Sequence, residues 1–94
     1  MRVCLVLALV ALPAVAAAEP TLTCGFEDNK TKVVVVNDSD KNKQCNYACH
    51  YRIEGGSASI SGSTGVKAGE TKTVDEDTHR GKVAGVREQS LKCE

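Results

Sequence analysis

The 94-residue chain predicts an all-β fold, a small antiparallel β-sandwich or barrel of about six to seven short strands stapled by two disulfides. Three observations carry that expectation. Apolar and polar residues alternate with a period of two, and no useful length of sequence repeats with the helical period. Turn residues punctuate the chain at short intervals. Beyond an apparent export signal the chain holds four cysteines, Cys24, Cys45, Cys49 and Cys93. An even number of cysteines in a short exported chain reads as a disulfide framework.

The N-terminus, MRVCLVLALVALPAVAAAEP, has the layout of a secretory signal. Arg2 supplies a positive start, Val3 to Leu12 an apolar run, Pro13 a break, and Ala16 to Ala18 a small-residue cleavage site. The run is shorter than the roughly 20 apolar residues of a membrane span. Residues 1–18 are therefore expected to be removed, taking Cys4 with them. Residues 19–94 remain, 94 − 18 = 76 in number, as one small β-domain, secreted or periplasmic.

The elements follow in order. Thr21 to Phe26 alternates, with Leu22, Cys24 and Phe26 on one face. Glu27 to Lys30 is a polar turn. Thr31 to Asn37 contains four consecutive valines, which suit a strand covered on both faces or lying at a sheet centre. Asn37 to Lys43 is a polar loop. In CNYACHYRIEGG, the residues Cys45, Tyr47, Cys49, Tyr51 and Ile53 share one parity, and Asn46, Ala48, His50, Arg52 and Glu54 the other. That is a half-buried strand, ended by Gly55-Gly56. Ser57 to Ser61 is a small-residue strand, Gly62 to Gly65 a turn, and Val66 to Glu70 a turn into a strand over Thr71 to Val74. Asp75 to Arg80 reads as loop. Val83 to Val86 and Arg87 to Cys93 complete the set.

A domain of this size, with Phe26, Tyr47 and Tyr51 as its only aromatics, builds a thin core and needs staples. All four cysteines lie on the apolar parity, pointing inward. Cys45 and Cys49 would stand about 13 Å apart in one extended strand. Bridged Cα atoms lie within about 7 Å, so these two do not bond each other. Two connectivities remain. The favoured one is Cys24–Cys45 with Cys49–Cys93. In an up-and-down order, strands one and three start at the same end, and the last strand is set to finish near the far end of strand three. The other is Cys24–Cys49 with Cys45–Cys93.

A metal site through Cys45, Cys49 and His50 is the competing reading of the same stretch. Its C-x3-C spacing departs from the usual zinc knuckles, and His50 has the opposite parity. No metal or other cofactor is expected. Asp38-Ser39-Asp40-Lys41-Asn42 opens like a calcium loop but lacks the glycine at position six and the glutamate at position twelve. Asn29-Lys30-Thr31 and Asn37-Asp38-Ser39 match the glycosylation sequon. No nucleophile elbow or H-E-x-x-H pair is present, His50 and His79 read as exposed polar residues, and the chain is not expected to be an enzyme. Removal of Arg2 leaves 12 − 1 = 11 basic against 12 acidic residues, interspersed. No basic face invites nucleic acid or an anionic membrane.

The expected function is that of a binding or interaction module contacting another protein or an envelope component. Rigid β-scaffolds tend to carry function on loops. The candidate contact residues are Asp38 and Asp40 in the first loop region, and Ser61, Ser63 and Lys67 in or beside the second. TLTCGF near the start, SGSTG in the middle and a cysteine close to the C-terminus resemble, in layout, the small periplasmic inhibitors of c-type lysozyme. The resemblance implies a compact β-barrel that inserts a loop into an enzyme cleft, with Ser61, Ser63 and Lys67 on that loop. CNYACHYRIEGG departs from the pattern, and the chain has no tryptophan.

Overall fold

The computed structural model describes residues 18–94. The expected export signal, apart from Ala18, lies outside the described residues. Alternation and turn chemistry build six strands: β1 (Thr21–Glu27), β2 (Lys30–Val36), β3 (Lys43–Ile53), β4 (Gly56–Val66), β5 (Thr71–Thr78) and β6 (Val83–Cys93). They form two three-stranded antiparallel sheets, ordered β1-β2-β5 and β4-β3-β6.

The valine strand and the cysteine-tyrosine strand are the two sheet centres. On β2, Val33 and Val35 are fully buried while Val34 and Val36 are only half covered, so one face packs. On β3, Cys45, Tyr47, Cys49 and Tyr51 are buried and the intervening residues face out or are half covered. Tyr47, Tyr51, Val33, Ile60 and Val83 meet between the sheets, with Leu22, Ile53, Val74, Val86 and Leu91 packed around them. Each buried valine or isoleucine contributes about 1.5–3 kcal/mol. The β1–β2 hairpin turns on Asp28, whose φ of 55° is left-handed, and the β3–β4 hairpin on Gly55 at 85°.

Both expected disulfides form, in the connectivity that was not favoured. Cys24–Cys49 joins β1 to β3 across the sheets, and Cys45–Cys93 joins β3 to β6 within one sheet. The pairing Cys24–Cys45 with Cys49–Cys93 is thereby corrected, and the physical reason is strand parity. Placing the last strand's end beside the far end of β3 needs an odd number of strands. With six, β6 runs antiparallel to β3, and Cys93 at its end sits opposite Cys45 at β3's start. Gln44 and Glu94 exchange both backbone bonds. The next pair along, Cys45 and Cys93, is therefore a non-hydrogen-bonded pair, where backbones approach most closely; its Cα atoms are 4.0 Å apart. Cys49 is left facing Cys24.

Three local expectations change as well. Gly62 to Gly65 is not a turn, because β4 runs unbroken through it. Gly62 pairs with Tyr47, and a Cβ built there would come within 2.7 Å of the tyrosine hydroxyl. The glycine makes room for a ring instead of bending the chain. Asp75 to Thr78 continues β5, since Thr78, Asp77 and Glu76 pair with Lys30, Thr31 and Lys32 of β2. Opposite charges face each other at Lys32 and Glu76. The last two expected strands are one, β6, kinked by irregularities in its pairing with β3.

Candidate functional site

The two loop regions singled out in the sequence meet at one end of the molecule, and Asn37 joins them. This residue follows the valine strand and is fully buried. Its Nδ2 donates to the Lys41 carbonyl at 2.9 Å, the Val66 carbonyl at 3.0 Å and the Lys67 carbonyl at 3.1 Å. Its Oδ1 accepts from the Ser39 amide and hydroxyl. Its own backbone pairs with the second loop through Asn37 N–H to Glu70 O and Gly69 N–H to Asn37 O, each at 2.8 Å. Ala68 N–H donates to Asn42 Oδ1, and Lys67 N–H to the Glu70 carboxylate. Gly69, with φ of 75°, supplies the left-handed residue that the second loop turns on.

Of the residues expected to make contacts, Asp38, Asp40 and Lys67 lie exposed on this end. Ser61 and Ser63 do not. They sit on β4 with outward parity, on a sheet face, and Ser63 donates to Asn46 Oδ1. The loop that the inhibitor resemblance implied for Ser61, Ser63 and Lys67 is thus a strand followed by a short loop, and only Lys67 belongs to the loop. The calcium-like run is tied down as a connection by Asn42 and by Ser39, whose hydroxyl also reaches the Lys41 carbonyl.

Sequence reasoning passed over Asn37 except as a glycosylation sequon. The legible signal was the Asx turn. Asn and Asp accept from the amide two residues on, which here is Ser39. In the folded domain the Asn37 amide is enclosed, and Asn29 Nδ2 is likewise engaged, donating to the His79 carbonyl.

The proposed ligands Cys45, Cys49 and His50 are not brought together as a site. Both sulfurs are in disulfides, and His50, on the other face, bonds Ser59 Oγ through Nδ1 at 2.7 Å. Glu88 is the register partner of His50 on β6, so serine, histidine and glutamate form a row on the open outer face of the sheet. Among the described residues no group of three or more His, Cys, Asp or Glu side chains is arranged to hold a metal. His79 is not free in solvent as expected. It is half buried, its Nε2 lies 2.9 Å from Thr31 Oγ1, and its amide closes onto the Asn29 carbonyl.

A second polar cluster lies where β5 is irregular beside β2. The Asp75 carboxyl has one oxygen, Oδ1, buried without a hydrogen-bond partner. Burial raises its pKa, as do a shared hydrogen bond and the charge of Asp77, while His79 pulls it down. Burial, with help from Asp75, raises the pKa of Tyr51, whose hydroxyl donates to the Gly25 carbonyl at 3.1 Å. On the β1–β2 side a shallow hollow of about 400 Å³ opens beside Phe26, which is 45% exposed.

Comparison of the chain with protein-family models, with curated proteins and with solved structures finds no match. Two intramolecular disulfides are compatible with an oxidising compartment. Among the described residues no helix is long and apolar enough to cross a membrane.

Proposed function

We propose that this chain is an exported binding module, secreted or periplasmic, whose contact surface is the loop end formed by residues 38–42 and 67–70. The observation that supports this most is the Asn37 bridge. Loops on a rigid scaffold bind well when they are ordered before contact, because less conformational entropy is lost on association. One buried side chain holds both loops, and the exposed Asp38, Asp40 and Lys67 stand on the result. The module is non-catalytic in this reading, and its partner is another protein or an envelope component. Enzyme inhibition retains only Lys67 of its three loop residues, so it has no support beyond that of any other protein partner.

The test uses the mature protein as bait against envelope and extracellular fractions of the producing cell. Asp40→Lys and Lys67→Glu alter exposed side chains. The double variant is expected to keep both disulfides and the wild-type melting behaviour yet lose the captured partner. Equal capture by wild type and double variant would place the contact surface elsewhere.

A further inference from the structure

The free edge of β4 is the feature that the loop-end reading does not use. A sheet edge exposes unpaired N–H and C=O groups, and proteins blunt such edges with charges, prolines or bulges. The other edges show these devices or are covered. β5 carries Lys72, Asp75, Glu76 and Asp77 and a register shift against β2. β6 carries Arg87, Glu88 and Lys92 and two register shifts against β3. β1 leans on β6, where Gln89 Nε2 donates to the Leu22 carbonyl at 3.3 Å. β4 carries no charge, proline or bulge, and its contact with β5 includes the Lys72 ammonium on the Gly65 carbonyl. GSASISGSTGV contains no charge and no proline, and it pairs with β3 over 11 residues without an irregularity.

The ladder identifies which groups are open. Gln44 of β3, and Glu54 just past its end, bond toward the β6 side, to Glu94 and Lys82. Even-numbered residues of β3 therefore face β6, and odd-numbered ones face β4. Their partners on β4 are the even numbers, from Gly56 to Val66. The backbone groups of Ser57, Ser59, Ser61, Ser63 and Gly65 are left pointing to the free edge. The Gly65 carbonyl takes the Lys72 ammonium at 2.9 Å, which marks one end of the open stretch.

From this geometry we infer that β4 is the dimerisation edge of the protein, pairing antiparallel with β4 of a second copy to make one continuous six-stranded sheet. The occupant is a second copy because the strand suits itself. A two-fold axis through Ile60 sets Ser57 opposite Ser63 and Ser59 opposite Ser61, so every open serine exchanges its backbone bonds with another. Residue and partner numbers then sum to 120. No like charges meet along the seam. Serine hydroxyls face serine hydroxyls, a favourable cross-strand pairing. The interface is isologous, as most dimers are.

Sedimentation equilibrium of the mature protein over micromolar to millimolar concentration tests this, with hydrogen exchange read on the same samples. The wild type is expected to dimerise, with the amides of Ser57, Ser59, Ser61 and Ser63 gaining protection as concentration rises. Ser61→Pro removes an edge N–H that has no partner among the described residues and should leave the protein monomeric throughout. Ser59→Lys with Ser61→Lys sets lysine opposite lysine across the seam and should weaken the dimer several-fold, whereas Ser59→Lys with Ser61→Glu sets opposite charges face to face and should restore it. A wild type that stays monomeric, or a dimer in which those four amides exchange at a concentration-independent rate, would overturn the proposal. If Ser61→Pro fails to form both disulfides, the exchange data and the charge swap decide it.

Discussion

Asn37 does more for the candidate surface than any other residue, because it satisfies carbonyls from both loops while buried. Asn37→Ala would remove the bonds to the Lys41, Val66 and Lys67 carbonyls and the acceptor for Ser39, and is expected to cost about 2–4 kcal/mol. Urea denaturation checks the magnitude. Amide exchange should show the loss concentrated in residues 38–42 and 67–70. Asp75 gives a pH dependence. Its folded pKa is raised by burial first and by Asp77 second, so the folded state holds the proton more tightly than the unfolded chain. Stability contributed here is greatest when Asp75 is protonated, and it falls as pH rises from the ordinary carboxylate range through the raised folded value. Asp75→Asn should therefore raise the melting temperature at neutral pH, with the gain vanishing in acid. Melting curves of both proteins across that range check it, and a variant less stable than wild type at neutral pH would contradict it. Neither residue was visible in the sequence for what it does. Asn37 read as a sequon and Asp75 as a solvated loop, because a buried polar role depends on which distant carbonyl or carboxylate the fold brings near.

The elements were more legible, and the errors have physical causes. Alternation placed β1, β2 and β3 to within a residue or two, since each packs one face on the core. β4 was split because glycine and serine are shared by turns and by strands that make room for a ring, and Tyr47 above Gly62 is not visible along the chain. The cysteines were legible as staples, whereas their pairing depended on strand count. Both bridges should matter. By loop-closure entropy, closing separations of 25 and 48 residues is worth about 3.5 and about 4 kcal/mol. Each is comparable to the whole stability of a small domain, about 0.05–0.15 kcal/mol per residue. Paired alanine replacements of Cys24 with Cys49, and of Cys45 with Cys93, are each expected to unfold the domain or nearly so at room temperature, as judged by circular dichroism. A non-reduced chymotryptic map, with cleavage after Tyr47 separating Cys45 from Cys49, should show Cys24–Cys49 and Cys45–Cys93. A map with Cys24–Cys45 would invalidate the sheet order.

At the scale of the whole molecule, two three-stranded sheets locked by those bridges leave two candidate surfaces for contact. One is the loop end gathered by Asn37. The other is the bare edge of β4. They are separable, since the loop substitutions Asp40→Lys and Lys67→Glu act at one end and Ser61→Pro acts mid-strand. The fold class was readable because it follows from alternation and staples. The function was not, because the proposed recognition surface is made of exposed side chains whose meaning lies in a partner's complementary groups. The most direct test places a photo-crosslinking residue singly at Asp40, Lys67, Lys32 and Arg87, and compares the adducts formed in the producing cell. The account expects one partner to be captured from positions 40 and 67 and not from the outward sheet positions 32 and 87. Capture of that partner from 32 or 87, with none from the loop end, would contradict it.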